Sequence, residues 1–397
     1  MPPKRYLTAK DAASALGISA ATLYAYVSRG LIRSEAVGDN HRARRYLAED
    51  VEKLVARKEQ RQDPTKVARD ALSWGVPVLE SALTLITGTT LYYRGRDACQ
   101  LAQMYTLEQV AALLWTESPD AAAVLFERPG AFEILPVQTE SPVQAMQIAL
   151  AISAGRDLSA YNMAPESVAR TGASILWLLT GTLTGMPVTA PTIAEALAKA
   201  WRVESVRLLD AALILCADHE LNASSFAARV IASTGANPYA VVTGGLAALQ
   251  GSRHGGNTRR VSAFLREVGQ TGDIRAAIRG YLQRGESVPG FGHRLYPSGD
   301  PRAALLLRLA AENNTEAAYL ALMTEIIREV QQATSQAPNL DMALAVLEGM
   351  LHLPPDSALA LFGLGRTVGW IGHAIEQYAT QQLIRPRATY VGKLPVD

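Results

Sequence analysis

Residues 289–303 read PGFGHRLYPSGDPRA. No helical or strand period survives there. Glycines on both sides of Phe291, with His293 and then an Asp300-Pro301-Arg302 step, predict a loop in which backbone approaches a ligand and a histidine is presented from a rigid frame. Two further stretches share this character. Residues 251–257 read GSRHGGN, placing His254 before paired glycines, and residues 217–224 read ADHELNAS, placing His219 where a helical stripe stops. Asn222 or Ser224 is set to cap the next helix.

The segments between these breaks read as helices. Val206, Leu209, Leu213 and Cys216 recur at three- and four-residue steps, as do Tyr319, Leu322, Met323, Ile326, Ile327 and Val330. Apolar residues are 49% of the 397-residue chain and aromatics only 6%, so these helices pack through small side chains. Residues 83–93 alternate apolar and polar around Gly88 and predict a short hairpin. His352 and His373 fall in apolar helical runs and read as core or interface groups. No phosphate loop, strand-linked GxGxxG or repeat is present, which argues against nucleotide-loop enzymes and solenoids.

Residues 1–62 form a separate unit. They hold 12 Lys and Arg against 7 Asp and Glu, although the whole chain carries only +1. Thr8 caps a helix bearing Ala12, Ala13 and Leu16, Gly17 ends it, and Ser19 caps a second helix bearing Leu23, Tyr26 and Val27. Arg42, Arg44 and Arg45 beside Tyr46 follow a turn, as in a wing that touches phosphates. The stretches TAKDAASALGISAATLYAYVSRGLI and ARRYL resemble the winged helix-turn-helix of the MerR-like and excisionase families, and that resemblance implies DNA as a partner. A linker is expected near Gln62-Asp63-Pro64-Thr65.

Cys99 and Cys216 have no paired spacing and read as reduced thiols. Three histidines without an HExxH-like pair or thiolates make metal ligation a poor reading, so none is expected. No uninterrupted apolar run reaches the length of a membrane span, and the first residues are charged, so the cytoplasm is expected by default.

Seven stretches taken in order then carry a second resemblance. YYRGRDACQLA, ADHELNASSFAAR, GGLAALQGSRHGGN, PGFGHRLYPSGDPRA, NLDMALAVL, LFGLGRTVGWIGHAIEQ and RPRATYVG are similar to the citrate synthase family over roughly residues 70–397. The resemblance implies a mainly α, two-domain helical fold: a large domain from 63–235 and 345–397, and a small lid domain from 236–344. It implies condensation of acetyl-CoA with oxaloacetate and hydrolysis of the thioester, with acetyl-CoA as co-substrate and no other cofactor.

It also implies residue roles. Asp341 matches the carboxylate base, His254 the donor to the enolate oxygen, and His293 the general acid toward the ketone. His219, Arg302, Arg366 and Arg385 match the oxaloacetate-binding residues, with Arg385 supplied in trans across a homodimer. Val288, Pro289, Gly290, Phe291 and Gly292 match the loop that recognises CoA. Taken singly, Asp341 reads equally as a helix cap, Arg302 as a surface ion pair and Arg366 as a packing cation. The chain departs from the family's common HGGAN and NVDFYS stretches, having HGGNT after Arg253, and NLDMAL. Met342, Ala343 and Leu344 leave the acyl preference open, so the alternatives are a 2-methylcitrate synthase using propionyl-CoA, or a metabolite-sensing DNA-binding regulator.

Overall fold

The computed structural model describes residues 6–37, 40–51, 54–55, 79–127, 137, 139–313, 316–393 and 395. The chain divides into two compact units, Met1–Glu80 and Ser81–Asp397. The linker expected near residues 62–65 lies outside the described residues.

In the first unit, α1 (Ala9–Leu16) and α2 (Ala20–Ser28) pack with a three-stranded antiparallel sheet of order β1 (Tyr6–Leu7), β3 (Asn40–Leu47), β2 (Ser34–Val37). The expected caps are present. Thr8 accepts from the Asp11 amide, Ser19 accepts from the Thr22 amide, and Gly17 turns the chain at φ 59°. Ala12, Leu16, Leu23, Ile32, Tyr46 and Val51 form the core.

The second unit opens with the expected hairpin, β4 (Thr84–Thr87) against β5 (Thr90–Tyr93), extended by β6 (Arg96–Asp97). The remainder is mainly helical. Before His219 come α3 (Ala98–Met104), α4 (Leu107–Thr116), α5 (Pro142–Ala154), α6 (Pro165–Thr184), α7 (Ile193–Trp201) and α8 (Val206–Cys216). Then follow α9 (Ala223–Ala232), α10 (Pro238–Leu249), α11 (Asn257–Thr271), α12 (Ile274–Gln283) and α13 (Pro301–Asn313). The last three are α14 (Ala317–Thr334), α15 (Leu340–Met350) and α16 (Ser357–Thr380).

Two apolar cores organise these helices. The larger takes side chains from α3 to α10, α13 and α16; the smaller is built from Val261, Phe264 and Val268 of α11, Ile278 of α12, Met323 and Ile326 of α14, and the loop residues Val288 and Phe291. Helix α15 serves both. Its Met342, Ala345 and Val346 point into the smaller core, and Leu340, Ala343, Leu344 and Leu347 into the larger. The i, i+3, i+4 spacing of each set puts them on different faces of one helix. Met342, Ala343 and Leu344 are therefore core side chains.

Helix α16 runs through the larger core, and every residue from Ser357 to Ala374 is buried. It is long and apolar enough to cross a membrane by length and composition, contrary to the expectation from the sequence, yet its apolar window is wholly buried in protein. Its glycines permit this. A Cβ on Gly365 would lie 2.4 Å from the Leu213 carbonyl oxygen, and one on Gly369 would lie 2.5 Å from that of Ala217. Both obstacles are backbone and cannot swing aside. Gly365→Ala and Gly369→Ala should each lower stability by about 1–3 kcal/mol, seen as a fall in Tm. Gly269→Ala in α11 has open space and should raise Tm.

Candidate active site

Each expected histidine is held by the turn that carries it. After α8, the chain reaches Asn222, whose Oδ1 accepts from the Ser224 and Ser225 amides and caps α9, so Asn222 is the cap rather than Ser224. His219, just before it, is buried, and its Nε2 lies 3.1 Å from the Tyr296 hydroxyl.

The turn after α10 closes through the Gly256 amide on the Leu249 carbonyl at 2.9 Å and the His254 amide on the Gly251 carbonyl at 2.9 Å. A Cβ at Gly256 would sit 2.3 Å from the Gln250 oxygen, so the glycine is required for the approach. The turn directs His254 Nε2 to the Ser224 hydroxyl at 2.8 Å. It also starts α11 with Asn257, whose Nδ2 donates to Asp341 Oδ2 at 2.9 Å.

Gly290 and Gly292, at φ 84° and 77°, shape the loop before His293. The Gly292 amide donates to the Ala337 carbonyl at 2.8 Å, and the Asn339 amide to the Gly290 carbonyl at 2.9 Å. Asn339 is thus doubly used, because its Oδ1 also caps α15 at the Asp341 and Met342 amides. The cap role open to Asp341 falls to Asn339. The Asp341 carboxylate keeps one buried oxygen, Oδ1, with no hydrogen bond among the described residues.

His293 Nδ1 accepts from the Leu295 amide at 3.2 Å, which leaves the ring proton on Nε2. Its ring lies 5.2 Å from that of His219 and 4.8 Å from that of Tyr296. Arg302 is buried rather than at the surface, and donates from Nε and Nη2 to the two oxygens of Asp300 at 3.0 and 2.8 Å. Asp300 Oδ2 also accepts from the Leu340 amide at 3.2 Å, tying this pair to the helix that bears Asp341. Arg366 is buried on α16; its Nε donates to the Cys216 carbonyl at 2.6 Å, and its two terminal nitrogens make no hydrogen bond among the described residues.

Burial and these two cations set the protonation states. Burial, then Arg302 and Arg366, holds His219 well below its ordinary value. Burial and Arg366 bring His254 to about 4, and burial and Arg302 bring His293 to about 4. All three rings are neutral at pH 7. Burial pushes Asp341 up to about 6, with the Asn257 hydrogen bond pulling the other way.

His219, His254, His293, Asp341, Arg302 and Arg366 therefore converge within one chain. Arg385 does not join them: it is exposed beyond α16. The loop Val288–Gly292 flanks the group, with Val288 and Phe291 packed inward. His373 is buried as expected, whereas His352 is exposed and bonds Glu316 at 3.0 Å.

In the first unit, Arg44 is exposed, Arg45 pairs with Glu35 at 3.1 Å and lies over Tyr6, and the side chain of Arg42 is outside the described residues. Ser224, Asn257, Tyr296, Asp300 and Asn339 are site residues that the sequence reading gave no role in the chemistry. Asn257, three residues past His254, and Asp300, two before Arg302, had their positions as the only signal.

Residues 71–387 match a family model described as citrate synthase, C-terminal domain, and residues 6–59 one described as a helix-turn-helix domain. The citrate synthase 2 of Bacillus subtilis is 31% identical over 351 residues, covering 80% of this chain and 94% of that protein. The 2-methylcitrate synthase 2 of Corynebacterium glutamicum is 30% identical over 343 residues, covering 77% and 89%. Mycobacterium tuberculosis and Mycobacterium bovis proteins named for citrate synthase 2 align at 40% identity over 197 residues, 48% of this chain and 52% of theirs, so the chain spans about half the length of those curated relatives. The solved ternary complex of Thermoplasma acidophilum citrate synthase with carboxymethyl coenzyme A and oxaloacetate superposes with a TM-score of 0.68 at 25% identity, covering 81% of this chain and 96% of that one.

A carboxyl raised from 3.8 to about 6 is a cost to the fold once it ionises. Stability declines as pH rises from 3.8 through about 6 and stays lowered above that. Asp341→Asn should therefore stabilise the protein at pH 7 by about 2–3 kcal/mol and lose that advantage below pH 4, measured by urea denaturation across pH.

Proposed function

The chain belongs to the citrate synthase family, and we propose that it condenses acetyl-CoA with oxaloacetate and hydrolyses the product thioester to citrate and CoA. The observation that carries this reading is a buried carboxylate with one unbonded oxygen, set among three neutral imidazoles and two buried guanidiniums.

Asp341 takes a proton from the acetyl methyl group, and the enolate oxygen accepts a hydrogen bond from His254. Ser224 holds the ring in place: its oxygen lies 2.8 Å from His254 Nε2 and receives the Trp370 indole N–H at 3.2 Å, while its own proton goes to Asn222 Oδ1 at 2.8 Å. A neutral ring suits the task, because its bond strengthens as charge develops and it does not pair with Asp341.

The methyl carbon then attacks the ketone carbon of oxaloacetate, and His293 supplies its Nε2 proton to the new alkoxide. Arg366 and Arg302 pair with the carboxylates, His219 orients the ketone, and Arg385 comes from the second subunit of a homodimer. Water cleaves the thioester, releasing CoA as the thiol. This proton chemistry uses acetyl-CoA as co-substrate and calls on no metal or redox group. The seam between two cores at α15 supports closure over the substrates before condensation.

Similarity to a 2-methylcitrate synthase supports propionyl-CoA as a second acyl donor. One methylene changes selectivity by only about 1–3 kcal/mol, so turnover of both thioesters is to be compared directly. The helix-turn-helix match supports contact of residues 1–62 with DNA phosphates.

Thiol release from acetyl-CoA with oxaloacetate should fall about 10²–10⁴-fold in Asp341→Asn; retained turnover removes Asp341 as the base. In the wild type, kcat/KM should decline as pH drops below about 6, where Asp341 gains its proton, and Asn257→Ala should move that limb upward. Duplex DNA binding, read by fluorescence anisotropy, should weaken steeply with salt and weaken further in Arg44→Ala; binding indifferent to salt removes the phosphate contact.

A further inference from the structure

The turn that delivers His219 is docked along one face of α16 at successive positions. Arg366 Nε donates to the Cys216 carbonyl at 2.6 Å, the Gly369 amide donates to the Ala217 carbonyl at 2.9 Å, and His373 Nε2 lies 3.2 Å from Asp218 Oδ1. Asp218 and His373 are both completely buried. Asp218 Oδ2 accepts from Thr84 Oγ1 at 2.6 Å, and the main chain of Asp218 meets the Tyr93 hydroxyl at its amide and carbonyl, at 3.3 and 3.1 Å. Beyond His373, Glu376 lies 3.9 Å from Nδ1 and pairs with Arg229 at 3.0 Å.

Burying a carboxylate is expensive unless a partner holds it, and its position here has a consequence for the neighbouring cation. Arg366 and Asp218 influence each other electrostatically but form no ion pair within 4.0 Å. The carboxylate instead accepts from Thr84 through Oδ2, and its Oδ1 abuts His373 Nε2 at 3.2 Å without hydrogen-bond geometry. Were it to swing onto Arg366, it would occupy the same fork that a substrate carboxylate needs. Resting on the reading of the site given above, we propose that Asp218 and His373 are a positioning pair: His373 keeps the Asp218 carboxylate off Arg366, so that the guanidinium and the adjacent His219 are presented to the dicarboxylate substrate. Neither residue touches the reacting atoms.

Steady-state kinetics on the full-length protein test this. His373→Leu should raise KM for oxaloacetate about 10- to 100-fold, with kcat and KM for acetyl-CoA within about threefold of wild type. His373→Gln, which retains a side-chain N–H donor, should keep most of the oxaloacetate affinity. The decisive variant is the double Asp218→Asn/His373→Leu. With the competing carboxylate gone, KM for oxaloacetate should recover relative to His373→Leu, a non-additivity that loss of packing does not produce.

Equal increases in both KM values, or a double variant worse than His373→Leu, would overturn the proposal. Should His373→Leu fail to fold, Asp218→Asn decides alone, with KM for oxaloacetate unchanged or lowered expected and a selective rise contrary. A wild-type protein that releases no thiol defeats the proposed activity instead; the same ranking of variants is then read from oxaloacetate affinity by isothermal titration.

Discussion

Arg302 and Arg366 are enclosed beside the three imidazoles, and their enclosure sets the terms for the titratable groups nearby. Arg302 is matched by Asp300 through two side-chain hydrogen bonds, while Arg366 is bonded to a main-chain carbonyl and its terminal nitrogens make no hydrogen bond among the described residues. A cation that has already lost its water binds an anion without further dehydration of its own. The same positive field helps to keep His219, His254 and His293 unprotonated. Asp341, governed mainly by the loss of water around it, is left a stronger base than a surface carboxylate. One electrostatic setting thus prepares a dicarboxylate site, neutral donors and a poised base together.

The placement of these groups follows from two helices. Helix α15 has opposite faces in different cores, which fixes Asp341 near its N-terminus at the seam. Helix α16 contributes Arg366 directly, reaches His254 through Trp370 and Ser224, and reaches the turn bearing His219 through His373 and Asp218. Rigidity is the shared outcome, since each imidazole or its turn is fastened to an element that cannot move without disturbing a core.

Much of this was legible from local sequence. The hairpin, the Thr8 and Ser19 caps, the Gly17 stop and the helical stripes at 206–216 and 319–330 depend on neighbouring residues, and each appears in the structure. The histidines at three loop breaks were visible because glycine and asparagine interrupt a helical period around them. What escaped notice depends on partners far apart in the chain. Tyr296 meets His219 across 77 positions and Asn257 meets Asp341 across 84, with no local pattern announcing either contact. His352 read as a core or interface group because its neighbours are apolar, but it follows the end of α15 at φ 49° and is exposed, outside the core. The wing arginines read as phosphate contacts, and Arg45 is paired with Glu35, ten residues away on the neighbouring strand.

The enclosure of α16 also bears on how the protein is made. Trp115 donates to the Val368 carbonyl across 253 positions, and the Ala82 amide donates to Glu376 across 294. A ribosome delivers α3 through α15 before residue 380, so the helices that flank α16 emerge with their inner faces uncovered. Local helix formation takes microseconds, whereas these distant contacts wait for translation to pass the last turn of α16. The nascent chain consequently keeps those apolar faces uncovered until that helix appears.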